Sequence, residues 1–361
     1  MEKKLRVGII GATGYVGQRF ITLLADHPWF ELAGLAASSR SAGRSYAEAV
    51  GDRWRLTVAM PEMVRDMVVR DSAEIEAFCA DLDFVFCAVD MEKKELIELE
   101  ERVARTETPV VSNNSANRWT ADVPMIIPEI NSDHTQIIEA QKKRLGTTRG
   151  FIVTKPNCSI QSYVPALTPL LDFEPQQIFV STYQAISGAG KTFETWPEMV
   201  GNLIPYIGGE EEKSEREPLK IWGTATNGQI ELPKAPVISA QCYRVAVQEG
   251  HTASVAVKFA RKPSKEEILE RWRSFGGLPQ TANFPTAPKQ FLTYHEDNDR
   301  PQVLLDVMTE NGMGVSIGRL REDQIFDWKF ACLSHNTLRG AAGGAVLMAE
   351  LLVHQGHITA K

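Results

Sequence analysis

Short, wholly apolar runs alternate with amphipathic stretches through the first 150 or so residues of the chain. LRVGIIGA (5–12) reads as a strand, YVGQRFITLLADH (15–27) as a helix and FELAGLAAS (30–38) as a second strand. The strand DLDFVFCAV (81–89), the charged helix MEKKELIELEERVART (91–106) and the strand PVVSNN (109–114) follow. Apolar strands this short, spaced by helices, predict a parallel sheet with crossover helices on both faces. That is an α/β fold with a Rossmann-type doubly wound domain. From about residue 151 the texture shifts to longer, β-branched runs: FIVTK (151–155), QIFVSTYQAI (177–186), YRVAV (243–247) and TASVAVKFA (252–260). These predict a second, α+β domain on a mixed or antiparallel sheet, with SKEEILERWRSF (264–275) as a helix between strands. LRGAAGGAVLMAELLVHQG (338–356) returns to helical spacing, with small residues that permit close packing on the first domain. The expected division is 1–156 with 335–361 for the nucleotide domain and 157–334 for the catalytic one.

Charge narrows the partners. The 361 residues carry 39 Lys and Arg against 46 Asp and Glu, a net −7. That excludes a broad nucleic-acid surface and leaves room for a local pocket binding one small anion. The longest apolar runs (7–10 and 82–89) are strand-sized, far short of the roughly 20 residues of a membrane helix. MEKKLRVGII shows no signal-peptide pattern, so a cytoplasmic protein is expected. Cys79, Cys87, Cys158, Cys242 and Cys332 form no CxxC pair. Free thiols, with neither a disulfide framework nor a metal site, are the expectation. The charge run GGEEEKSERE (208–217) reads as a solvated loop or helix start.

Gly11, Gly14 and Gly17 stand between the first strand and the first helix. Their GxxGxxG spacing departs from GxGxxG, but a strand-to-helix junction is where backbone N–H groups meet a diphosphate. The second strand ends in Ser38, Ser39, Arg40 and Ser41, with no carboxylate for a ribose 2′-hydroxyl. The hydroxyls of Ser39 and Ser41 and the Arg40 guanidinium suit a 2′-phosphate, so NADP is expected over NAD. Cys158, in Lys155-Pro-Asn-Cys158-Ser, precedes the apolar stretch YVPALTPLL (163–171). A thiol at a helix start can have its pKa lowered by the dipole and act as a nucleophile.

The combination GATGYVG, SSRSAG, PNCS, TYQAISGAG, RVAVQEGH and HNTLRGAAGGAV, spread from residue 11 to 346, resembles the aspartate-semialdehyde dehydrogenase family, in its archaeal and fungal branch. The resemblance implies Cys158 as nucleophile, with Gln184 beside it and Arg244 and His251 seven positions apart. It implies NADP contacts at Gly11, Thr13, Gly14, Tyr15 and Val16, at Ser38–Ser41, and at Ser187, Gly188 and Asn336. Glu217 is expected on the substrate amino group, and Lys220 and Arg118 on phosphate, with Asn114 beside them. A homodimer or homotetramer is implied, with a small-molecule substrate and inorganic phosphate, and neither nucleic acid nor membrane as partner.

The implied chemistry is reversible. Cys158 adds to aspartate 4-semialdehyde, hydride leaves to NADP, and phosphate cleaves the thioester to 4-phospho-aspartate, within biosynthesis of lysine, methionine and threonine. His251 is expected to take the proton from thiol and hydroxyl. Arg244 is expected to hold the substrate carboxylate bidentately. Seven residues along one strand would separate Arg244 and His251 by roughly 20 Å, so a turn at Glu249 and Gly250 is required. Malonyl-CoA reductase shares the scaffold and the cysteine logic. N-acetyl-γ-glutamyl-phosphate reductase is a more distant relative, and a non-catalytic NADP-sensing regulator is an alternative of another class.

Overall fold

The apolar runs near the start of the chain pair as parallel strands. The computed structural model describes residues 3–361. β1 (Leu5–Ile10), β2 (Phe30–Ala37), β3 (Val69–Asp71), β4 (Phe84–Cys87), β5 (Val110–Ser112) and β6 (Ile152–Thr154) lie in the order β3-β2-β1-β4-β5-β6. The order reverses between β1 and β4, and in such sheets ligands gather at the carboxyl ends beside that reversal. The loop at Gly11–Gly17 leaves the sheet there, straight into the helix Tyr15–Leu24.

FIVTK, grouped above by texture with the second sheet, is instead the edge of the first. β6 pairs in parallel with β5, Ile152 beside Val110. The buried Gln141 side chain holds that edge, accepting from Ile152 N at 2.6 Å and donating to Ile152 O at 2.9 Å.

β7 (Pro175–Gln184), β8 (Leu203–Ile204), β11 (Val237–Val245), β12 (His251–Phe259), β13 (Leu292–His295), β14 (Val315–Glu322) and β15 (Trp328–Ser334) form a mixed sheet, ordered β13-β14-β15-β12-β7-β11-β8. β9 (Thr224–Thr226) and β10 (Gln229–Glu231) make a separate hairpin. β11 runs parallel to β7 and β12 antiparallel to it. One face of these strands is buried, including Ile178, Val180, Val255 and Val257. The other leaves Phe179 and Tyr183 exposed, with Tyr183 stacked on Tyr243 at 5.6 Å between ring centroids.

The helix Ala342–His354 is buried on nearly every side and packs on the helix Tyr15–Leu24. Its Val346, Leu347, Leu351 and Leu352 share a core with Val7, Ile9, Phe84 and Phe86. Just before it, Arg339 grips Glu129 with two hydrogen bonds, 2.5 and 3.0 Å, both side chains fully buried. Removing one partner of such a pair strands the other charge. Arg339→Met is expected to cost about 3–5 kcal/mol in a urea unfolding titration. A loss under about 1 kcal/mol would match a surface pair instead.

Candidate active site

The carboxyl ends of β7 and β11 and the amino end of β12 meet the nucleophile loop. In the parallel register Arg244 sits beside Gln184, and Thr252 faces Tyr183 across the antiparallel one. The chain turns at Gly250 (φ +96°), where an added Cβ would come within 3.0 Å of Val307 Cγ2. The turn demanded by the Arg244–His251 spacing is therefore present, and it returns His251 to the same sheet end.

Cys158 Sγ lies 3.4 Å from His251 Nε2. Ala185 N–H donates to His251 Nδ1 at 3.1 Å, so the neutral ring carries its proton on Nε2 and points it at the sulfur. Burial first, and the Arg244 charge second, press the His251 pKa down to about 3, so the ring is neutral at pH 7. Arg244 Nη1 donates to Ala185 O at 2.7 Å. Gly188 closes over the group: a Cβ there would lie 3.0 Å from Arg244 Nη1 and 3.2 Å from His251 Nε2.

The thiol departs from the helix-dipole expectation. Burial, with the Glu210 carboxylate second, pushes the Cys158 pKa up to about 11, against the cations of Lys155, Arg118 and Arg244. The segment after it explains this: a three-residue 3₁₀ turn at Ser159–Gln161, then an α-helix only at Val164–Leu167. Two such short pieces build little dipole compared with a long helix.

Glu210 is the carboxylate that the sequence reading passed over. It accepts Asn157 Nδ2 at 3.0 Å, Gln184 Nε2 at 3.2 Å and Lys213 Nζ at 2.8 Å. It starts the helix Glu210–Ile221, whose inward line runs Glu210, Ser214, Glu217, Ile221. That stripe has helical period but is mostly polar, so a hydrophobicity pattern reads it as solvated. Glu217 is buried and turned from Lys220: it takes Arg118 Nη1 at 2.9 Å and Asn157 N at 2.6 Å. Lys220 Nζ is bound by the carbonyls of Arg118 (2.6 Å) and Val123 (2.9 Å), with burial lowering its pKa to about 8.

The expectations of Glu217 on an amino group and Lys220 on phosphate therefore need correction. Both side chains are already spent on the loop that carries Arg118. Asn114 is spent likewise, its Nδ2 donating to the buried Glu100 at 2.9 Å. Arg118 is itself held, Nε on Lys155 O at 2.9 Å. Lys155 is fully enclosed three residues before the nucleophile, and burial carries its pKa well below the usual lysine range.

The dinucleotide loop fits a diphosphate. A Cβ at Gly11 would strike Ala88 O at 2.2 Å, and one at Gly17 would strike Gly11 O at 2.3 Å. Gly14 is the N-cap of the helix Tyr15–Leu24, with no capping side chain and no acidic residue in the first turn. Thr13 and Val16 flank it, half-buried. Ser38, Ser39 and Arg40 are exposed at the end of β2, and Ser41 is buried. Ser38 and Ser39 line a cavity of about 580 Å³ with Asp71 and Arg102. Ser187 and Asn336 lie between this loop and the cysteine, joined by Asn336 Nδ2 to Ser187 Oγ at 2.8 Å. Among the described residues no three His, Cys, Asp or Glu are grouped to hold a metal, and no helix is long and apolar enough to cross a membrane.

Comparison with known proteins agrees with this geometry. Residues 6–138 match the family described as semialdehyde dehydrogenase, NAD binding domain, and 167–339 its dimerisation domain. The chain is 42% identical over 351 residues to an aspartate-semialdehyde dehydrogenase of Archaeoglobus fulgidus, covering 97% of this chain and 98% of that one. It is 41% identical to that of Saccharomyces cerevisiae, covering 98% and 99%. The structure of the Candida albicans aspartate-semialdehyde dehydrogenase with NADP superposes with a TM-score of 0.88 at 36% identity, over 99% of this chain and 100% of that one. The chain belongs to the aspartate-semialdehyde dehydrogenase family.

Proposed function

We propose that this protein is an NADP-dependent aspartate-semialdehyde dehydrogenase. It oxidises L-aspartate 4-semialdehyde reversibly to 4-phospho-L-aspartate, in the cytoplasm, for biosynthesis of lysine, methionine and threonine. The observation that carries the reading is the contact of Cys158 Sγ with His251 Nε2, 3.4 Å, beneath Arg244 and Gly188. NADP, when bound on the Gly11–Gly17 loop, supplies the hydride acceptor. The alternatives of malonyl-CoA reductase and of a sensor without catalysis draw no support from the relatives compared.

The residues divide the work by chemistry. The Cys158 thiolate adds to the aldehyde carbon, and the oxygen becomes an oxyanion beside the Nε2–H of His251. Loss of hydride from that adduct restores C=O as a thioester on Cys158. The thiol proton leaves to solvent as the thiolate forms, and the hydrogenphosphate proton later returns to the departing sulfur, so one proton is released per turnover. Phosphate oxygen then adds to the thioester carbon, Nε2–H again faces the oxyanion, and the thiolate leaves with an acyl phosphate as product. A donor already aimed at the developing charge needs no reorganisation, which is where such sites gain most. In this reading His251 donates a hydrogen bond, and the general-base role expected from sequence gives way because Nδ1 is occupied by Ala185 N–H.

Arg244 serves the substrate carboxylate, and Glu210 serves the amino group in place of Glu217, because its side chain keeps 10% exposure against 1% for Glu217 and its charge acts on Cys158 and Arg244. Lys213 and Arg118 supply the positive charge for phosphate. Residues 1–156 and 335–361 act as the nucleotide domain and 157–334 as the catalytic domain. The exposed face around Phe179, Tyr183 and Tyr243 is the surface for a homodimer or a dimer of dimers.

The deciding experiment compares phosphate- or arsenate-dependent NADP reduction by aspartate semialdehyde with CoA-dependent oxidation of malonate semialdehyde. Activity in the first arm alone is expected; activity only in the second overturns the reading. Arg40 gives a separate check on the cofactor. Arg40→Ala is expected to weaken NADP by roughly 10-fold or more and leave NAD little changed, since a charge-assisted contact to the 2′-phosphate goes. Equal losses in titrations with both nucleotides would remove Arg40 from that role.

A further inference from the structure

The Glu249 carboxylate is bound from three segments of chain. Its Oε1 accepts Tyr15 Oη at 2.6 Å and Arg19 Nη2 at 3.1 Å, both from the helix that begins at the dinucleotide loop. Its Oε2 accepts Ser187 Oγ at 2.9 Å, from the turn after β7, and Thr337 Oγ1 at 3.2 Å. The circuit then closes on the catalytic strand. Ser187 Oγ takes Asn336 Nδ2, and Asn336 Oδ1 accepts Gly250 N–H at 2.7 Å. The residue after Gly250 is His251.

We propose that Glu249 is a positioning residue that ties the dinucleotide loop to the placement of His251. This rests on the reading that NADP occupies the Gly11–Gly17 loop. Two anions then compete for the same donors, the diphosphate and the Glu249 carboxylate, at Tyr15 and Arg19. Whatever draws those donors away changes the tension on a turn that has little freedom elsewhere. Ile186 N–H and Ser187 N–H donate to the carbonyls of Val247 and Gln248, and Gly250 takes φ +96°, a conformation strained for any residue with a side chain. The short turn therefore moves as a unit with His251 at its end. A direct NADP ligand would hold the cofactor; Glu249, carrying the same sign as the phosphates, opposes it and in exchange sets the histidine.

The two roles give opposite signatures in Glu249→Gln. The variant keeps the size, loses the charge, and turns one of the two acceptor oxygens into a donor NH2, so two of the four contacts go and the other two weaken. Expected is a fall in kcat of roughly 10- to 100-fold, the cost of a small misplacement of a reacting group. The Kd for NADP, read by fluorescence titration of the full chain, is expected to hold or tighten. Tyr15→Phe combined with Glu249→Gln is expected to lower kcat no further than Glu249→Gln alone, because both cut one connection. A Kd for NADP weakened about as much as kcat, an unchanged kcat, or additive losses in the double variant would each overturn the proposal. If Glu249→Gln does not fold, Glu249→Asp, which keeps the charge and shortens its reach, is read by the same split. Wild-type protein that bound no NADP would overturn the functional reading as well. Normal wild-type binding and turnover beside an unaffected variant would overturn this proposal alone.

Discussion

Cys158→Ala is expected to abolish turnover, by roughly 10⁶-fold, the scale on which removal of a covalent nucleophile registers. Without sulfur no adduct forms, and the aldehyde hydrogen has no route out as hydride. The measurement is NADPH formation with semialdehyde, phosphate and NADP saturating; near-wild-type activity would sink the thioester route and each role built around it. The same thiol gives a pH test on the wild-type protein without ligands. Its pKa stands at about 11, raised chiefly by burial, so the thiol is protonated at neutral pH. Only the thiolate alkylates. The rate with iodoacetamide is therefore expected to climb about tenfold per pH unit from near neutrality upward. A rate already flat by about pH 8 would mean that the dipole and cations outweigh burial after all.

The legible parts of this chain are those where one physical pattern dominates. The parallel sheet could be read because its strands are apolar on both faces and its helices on one. β7 and β12 could be read from their longer, β-branched runs. β14 could not: its pairing with β15 shifts register after Gly318, and Arg319 takes φ +62°. No period of two survives such an irregularity. The cysteine, Gln184, Arg244 and His251 were placed by motif and by the turn that their spacing required. Glu210, Glu249 and Lys213 were not, because charged side chains facing a polar site follow the same sequence statistics as charged side chains facing water. Within Glu210, Glu211 and Glu212 only the packing of the helix on Asn157 and Gln184 tells the first from its neighbours. The roles first given to Glu217, Lys220 and Asn114 failed for a related reason. Sequence spacing can put a polar group on the right helix face, but it does not reveal which partner within the protein already holds it.

His251 offers the largest effect after the nucleophile, and one that separates two mechanisms. His251→Ala removes the Nε2–H beside the sulfur and is expected to slow turnover on the order of 10²–10⁴-fold, with Cys158 still open to alkylation. The informative partner is His251→Gln, whose amide N–H can reach close to the position of Nε2 but cannot titrate. If His251 acts by donating a hydrogen bond to the oxyanion, the glutamine variant is expected to recover about 10-fold or more over alanine. Its rate should also lack any new dependence on pH, since the imidazole, with its pKa held at about 3, stays neutral across the working range. If His251 instead shuttles the thiol proton, glutamine cannot take its place, and both variants should be equally slow. Equal rates would therefore return the histidine to the role of base. They would also require the Ala185 N–H contact at Nδ1 to break during turnover, because Nε2 accepts a proton only when Nδ1 carries the other.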